Sequence, residues 1–480
     1  MEKIYHSKEE VHNRAREIVG IPFSKIDGYD KVSGNKNMIG DLFEIWFGKE
    51  KDSASKPDLG VAELKATPYK KLKNGKYSSK ERLVFNIINY MDIVNEDFEN
   101  SHFLYKNKVI ELGFYEYLKD KPKDDWTFTD VAMYEMSKNP IDYAIIKNDW
   151  NKIKEYVVDG KAEYLSESLT NYLSACTKGA NSKSERNQPY SDNKAKQRAF
   201  SLKNGYMTQI LRKYILGDEK NDSIIKNHVE LNNKSLREII EDRFKQYVGK
   251  TESELRSMFS IDSKSKSVNN LLARGMLGLN NSKSNTKALL NIDEFNKASY
   301  KVKTIQFDPE GRNKESMSFP IFKFKDLVNE VWVDDYGTPS ADLNVMFSES
   351  TFIFVVFQEN TFGDNVFKGV KFFNVPQKDI DGDIKNAWQA TIDTINRGVE
   401  LTFKNGEVSN NFIKKDDNKI MHVRPHAAKA SYENNSCANE LPTPARWTNK
   451  PKNYSNNYMT NQCFFLNNDY VKDVVKGLLD

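Results

Sequence analysis

Cysteine is scarce in this chain, with three among 480 residues, at positions 176, 437 and 463. They lie far apart and match neither a disulfide framework nor a zinc-ligand spacing, so a reducing, cytoplasmic setting is expected. No apolar run reaches the ~18 residues of a membrane-spanning helix, and none is expected. The opening M-E-K-I-Y-H-S-K-E-E lacks the apolar stretch of a secretory signal. A strong charge of one sign is also missing. The 72 Lys and Arg against 68 Asp and Glu leave +4, too little to argue for a nucleic-acid partner. What is present is a globular composition: 38% apolar, 29% charged, with 28 Phe and 23 Tyr to fill cores. The length allows about three domains.

The basic residues are unevenly placed. Between Lys65 and Arg82 there are seven, against the single acid Glu81. Between Lys178 and Lys213 there are nine, against Glu185 and Asp192. Both stretches mix in aromatic, Asn and Ser side chains, which suits phosphate and base contacts.

One short segment carries chemistry. In K-P-D-L-G-V-A-E-L-K (56–65), Glu63 and Lys65 are two apart and leave the same face of a strand. Ala62 and Leu64 point the other way, into a core. Asp58 follows Pro57 in a turn that bends back toward Glu63. Two carboxylates about 4 Å apart repel by roughly 4 kcal/mol at an effective dielectric near 20, so the pair calls for a cation or a shared proton. Carboxylate oxygens suit Mg²⁺, and the ammonium of Lys65 suits an attacking water or the charge building on a phosphate. By itself the pattern also fits a surface strand with a Glu–Lys pair.

The chain repeats itself. K-E-R-L-V-F-N-I-I-N-Y-M-D-I-V-N-E (80–96) and K-E-S-M-S-F-P-I-F-K-F-K-D-L-V-N-E (314–330) share eight of seventeen residues without a gap. Trp150 and Gly160 match Trp388 and Gly398, and Phe200, Leu202, Asn204 and Tyr206 match Phe464, Leu466, Asn468 and Tyr470, in the same order. The reading is two tandem copies of one fold, 1–217 and 218–480. Each is α/β (α+β) with a mixed central sheet flanked by helices. Strands are expected at 61–67, 109–117 and 352–358, and helices at 11–19, 41–47, 149–158 and 387–397. In the second copy Glu63 becomes Lys301, Lys65 becomes Lys303 and Asp58 becomes Asn296. That copy lacks the carboxylates for a metal while keeping the core pattern.

Taken together, G-D-L-F-E-I-W-F-G (40–48), S-K-P-D-L-G-V-A-E-L-K-A-T-P (55–68) and C-T-K-G-A-N (176–181) resemble the MutH-like branch of the PD-(D/E)xK nucleases. The likeness is to its two-domain type II restriction endonucleases that cut at GATC. It implies Mg²⁺-dependent cleavage of double-stranded DNA before the G, leaving 5′-phosphates, by a dimer on DNA. It also implies a C-terminal effector domain that binds a second GATC copy. Asp58, Glu63 and Lys65 fall on the catalytic triad, and Glu44 on a further helix carboxylate beside the metal. Lys106 falls near a further catalytic lysine, with Lys108 as its rival. Lys36 and Lys178 fall on positions that touch the recognition sequence. The family usually has two more residues between the aspartate and the glutamate, so either the turn is shorter here or Asp52 takes part. Ser201 stands where mismatch-repair members carry a tyrosine that senses methylation. Cys176–Thr177 replaces an Arg–Pro pair kept in the second copy as Arg424–Pro425, which points to DNA contact by Arg424 and His426. The alternatives are a mismatch-repair nicking enzyme and a non-catalytic GATC-binding regulator.

Overall fold

Capping and alternation build the first unit from its N-terminus. Ser7 accepts from the Glu10 amide and starts α1 (Lys8–Arg16), which buries Val11 and Ala15. Helix α2 (Met38–Trp46) buries Met38, Ile39, Leu42 and Phe43 on one face. Four strands then form a mixed sheet. They are β1 (Glu63–Lys71), β2 (Tyr77–Ser79), β4 (Val109–Glu116) and β5 (Phe128–Glu135), in the order β2-β1-β4-β5. β1 runs parallel to β4, and β4 antiparallel to β5. Between them in sequence lie β3 (Leu83–Ile87) and α3 (His102–Asn107). The long helix α4 (Pro140–Val158) buries Trp150 completely. β6 (Leu173–Thr177) and β7 (Arg198–Leu202) join β3 in a second sheet, ordered β3-β7-β6, and α5 (Asn204–Leu216) follows.

The structure is a computed structural model. It describes all residues except 1–2, 36, 50–55, 73–74, 180–182, 218–220, 263–267, 280–290, 314, 335–336 and 480. Two compact units emerge, Met1–Arg243 with Leu277–Tyr300, and Phe244–Met276 with Lys301–Asp480. The described residues 221–243 and 291–300 lie in the first unit. A buried ion pair ties the returning segment in: Lys297 Nζ lies 2.9 Å from both carboxylate oxygens of Asp142.

The second unit contains α6 (Val268–Met276), β8 (Tyr300–Phe307), β9 (Met317–Phe322), α7 (Asp342–Glu349), β10 (Thr351–Glu359) and β11 (Asn365–Phe373). These are followed by α8 (Lys385–Asn396), β12 (Met421–Pro425), β13 (Gln462–Leu466) and α9 (Asn468–Val475). Two of its sheets run β8-β10-β11 and β9-β13-β12, the same orders as β1-β4-β5 and β3-β7-β6. The registers also agree. Leu83 faces Leu202 and Val84 faces Ser201 before a shift that brings Ile87 to Ala199. Met317 faces Leu466 and Ser318 faces Phe465 before a shift that brings Ile321 to Cys463. Cys176 pairs with Ala199, and Arg424 with Cys463, so Arg424 holds the ladder position of Cys176. Asn296 departs from this correspondence: it sits in a short helix, Asp293–Lys297, and not on a turn before a strand as Asp58 does.

Candidate active site

Strand β1 brings the chemistry to the sheet. Ala62 and Leu64 are buried in a core with Phe43 and Phe128, as alternation requires. Glu63 points the other way and is nonetheless 1% exposed, so neighbours rather than water surround its carboxylate. The turn before it is tight. The Gly60 amide donates to Pro57 O and the Leu59 amide to Ala62 O, both at 3.0 Å, with Gly60 at φ +73° where a side chain would be strained. This short turn still folds Asp58 onto Glu63. The Asp58 amide donates to Glu63 Oε2 (3.2 Å), and the Leu64 amide donates to Asp58 Oδ2 (3.1 Å). Asp52 lies outside the described residues.

Each carboxylate thus spends one oxygen on the backbone and turns the other toward ammonium groups. Glu63 Oε1 lies 2.7 Å from Lys65 Nζ and 3.7 Å from Lys106 Nζ. Asp58 Oδ1 lies 3.9 Å from Lys49 Nζ. Lys106 is carried by α3, whose start is capped by Ser101 accepting from the Leu104 amide at 3.1 Å. Phe103 and Leu104 are buried beneath it. Lys108 follows that helix as an exposed residue. Of the two rival lysines, the fold therefore brings Lys106 to Glu63.

Glu44 on α2 belongs to the same electrostatic group. Burial, reinforced by the Asp58 carboxylate, pushes it up to about 7, against the pull of Lys65 and Lys49. Burial also holds Glu63 above the ordinary carboxylate value, with Lys65 opposing and Asp58 adding to it. Perturbed carboxyl groups of this kind cluster at functional sites. Among the described residues no three His, Cys, Asp or Glu side chains converge on one point. Mg²⁺ needs fewer, because it keeps waters and takes one or two protein carboxylates together with phosphate. The two oxygens that take no backbone amide, Asp58 Oδ1 and Glu63 Oε1, fit that demand.

Lys49 is the member of this cluster that the sequence reading missed. It follows Gly48, whose φ of +76° turns the chain after α2, and it is 6% exposed. Nothing in its local sequence distinguishes it from the other lysines of this charged region.

Of the residues expected at DNA, Lys178, Arg424 and His426 are described. Lys178 is exposed just after β6, with its amide donating to Gln197 O at 3.0 Å. Cys176 and Ser201 are buried, and Ser201 Oγ lies 2.9 Å from Ser174 Oγ. In the second unit Arg424 is exposed and lies over the Phe465 ring at 5.0 Å. The His426 ring meets the same phenyl edge-on at 6.0 Å. Lys36 lies outside the described residues. None of the described helices is long and apolar enough to cross a membrane.

Comparison with known proteins adds two findings. A family model described as "DNA mismatch repair enzyme MutH" matches residues 47–149, a span that holds Asp58, Glu63, Lys65 and Lys106. The type II restriction enzyme Sau3AI of Staphylococcus aureus is 50% identical over 486 residues, covering 99% of each chain.

Proposed function

The chain belongs to the MutH-related type II restriction endonucleases, and from that premise we propose that it cleaves double-stranded DNA at 5′-GATC, before the G. The substrate of this class is DNA, and such nucleases are generally metal-dependent. The observation that carries the site assignment is the pairing of Asp58 and Glu63 through backbone amides, with Lys65 2.7 Å from Glu63. Full-length identity to a restriction enzyme favours restriction over mismatch-repair nicking, because the MutH description covers only residues 47–149.

In this mechanism Asp58, Glu63 and Glu44 would hold Mg²⁺. Bound there, the ion supplies Lewis-acid polarisation of the phosphoryl oxygen and a more acidic water. Lys65 orients that water through its ammonium hydrogens. Lys106 and Lys49 offset the charge that develops on the phosphorane-like oxygens. The 3′-oxygen leaves, and a 5′-phosphate remains. Lys36 and Lys178 contact the recognition sequence. The second unit, Phe244–Met276 with Lys301–Asp480, binds another GATC copy through Arg424 and His426 as an effector. The enzyme acts in the cytoplasm as a dimer on DNA.

Plasmid cleavage with Mg²⁺ tests the reading. Lys65→Ala and Glu63→Ala are expected to lower the rate by about 10²-fold or more, and wild-type rates in either would overturn the assignment. Sequencing the product ends gives the site. Adding an uncleavable GATC duplex in trans should stimulate cleavage of a single-site plasmid, and no stimulation would sink the effector role.

A further inference from the structure

Strand β8 of the second unit occupies the place of β1 and inverts its charge. In the alignment of the two copies Lys301 and Lys303 fall opposite Glu63 and Lys65. On the neighbouring sheet, Arg424 holds the ladder position of the neutral Cys176. The three cations are spatially linked. Lys303 Nζ lies 3.5 Å from Ser318 O on β9. Ser318 faces Phe465 on β13, and Arg424 lies over the Phe465 ring. Lys303 and Arg424 both act electrostatically on the buried Cys463 thiol.

Lys301, Lys303 and Arg424 make no ion pair with a described residue. The acid that acts on Lys301 is Glu349, at the end of α7. Lys301 is exposed and Lys303 half-buried, and burial, reinforced by the neighbouring Lys301 charge, lowers Lys303. In the first unit two crowded carboxylates call for a cation. Here two crowded ammoniums beside a guanidinium call for an anion.

We propose that Lys301, Lys303 and Arg424 bind a DNA backbone phosphate directly, at the position where the first unit brings metal and scissile phosphate together. The second unit's hold on DNA then needs no divalent cation. This rests on the reading that the second unit binds DNA, and it adds which atoms do so and why that site cannot cut. A lysine in place of Glu63 leaves no anionic oxygen for a metal, and its ammonium takes the metal's role as phosphate counter-charge.

The test titrates the full chain with a short fluorescent GATC duplex, once with Ca²⁺ and once with EDTA. Two duplexes per chain are expected with Ca²⁺, and one is expected to remain in EDTA. In EDTA, Lys301→Glu/Lys303→Glu should weaken that remaining duplex by roughly tenfold or more and flatten its log–log salt slope by about 2. Lys301→Arg/Lys303→Arg should restore binding, which separates a lost phosphate contact from a misfolded strand. A chain that binds only one duplex with Ca²⁺ and none in EDTA overturns both the effector reading and this inference. If a second duplex binds but needs the metal, or binds equally well to the Glu variant, the effector reading stands and the lysine site falls.

Discussion

At the scale of single residues, the site is arranged around a conflict. Asp58 and Glu63 repel each other, yet each is pinned by a backbone amide so that neither can swing away. The remaining repulsion is met by Lys49, Lys65 and Lys106. Only one of the two lysines near 107 takes part, so Lys106→Ala should lower plasmid cleavage by about 10²-fold while Lys108→Ala leaves it near wild type. Initial rates at saturating Mg²⁺ check this. A second conflict lies on the opposite face of the sheet. Glu111 is 0% exposed, and its Oε1 lies 3.0 Å from His12 Nδ1. Burial pushes Glu111 up to about 8 and lowers His12. A carboxyl raised in the folded state contributes stability that is full below its unfolded value, near 4.5, and is lost as pH rises through about 8. The melting temperature of the wild type is therefore expected to fall relative to Glu111→Gln between those pH values, and then to run parallel above them. Equal pH dependence of the two would show that Glu111 ionises normally.

Among the elements, packing sets how closely Glu44 approaches β1. Gly113 on β4 has no side chain because the Phe43 and Phe128 rings fill that space; a Cβ there would meet them at 2.9 and 3.0 Å. Phe43 precedes Glu44 on α2, so Gly113→Val should lift the helix, lower the melting temperature and reduce cleavage together. Unchanged cleavage would show that α2 is not seated by this contact. The strands expected at 109–117 and 352–358 occur as Val109–Glu116 and Thr351–Glu359, because runs of β-branched and aromatic residues are strong local signals. The helix expected at 149–158 begins nine residues earlier, at Pro140. Apolar periodicity misses its first turns. The start lies instead in Asn139, whose Oδ1 accepts from the Ile141 and Asp142 amides, and in the proline placed just after it.

For the whole molecule, the repeat seen in the sequence has a counterpart in strand order and register, down to the shifts between Val84 and Ile87 and between Ser318 and Ile321. The borders of the units are another matter. Leu277–Tyr300 returns to the first unit, where Lys297 neutralises the buried Asp142 and Tyr206 donates to the same carboxylate at 3.1 Å. Removing one partner of such a pair leaves a buried charge, at a cost of about 3–5 kcal/mol. Lys297→Met is expected to destabilise the first unit by that order in thermal or urea unfolding, and Lys297→Met/Asp142→Leu by much less. Equal losses in the two variants would show that packing, not charge, holds the segment. EDTA should abolish cleavage, and added Mg²⁺ should restore it, without a change in unfolding temperature large enough to explain the loss.

The sequence by itself determined the strand that carries Glu63 and Lys65, the face they share, the core role of Ala62 and Leu64, and a repeated pattern in the two halves. These depend on alternation, turn chemistry and repetition, which act over a few residues or compare like with like. Tertiary structure alone decided that Lys106 rather than Lys108 reaches Glu63, and that Lys49 joins Asp58. It also decided that a turn two residues short still closes the pair, and that 291–300 packs with the first unit. Each of these is a meeting of groups distant in the chain or turned by a single positive φ, and no local pattern encodes where such side chains meet.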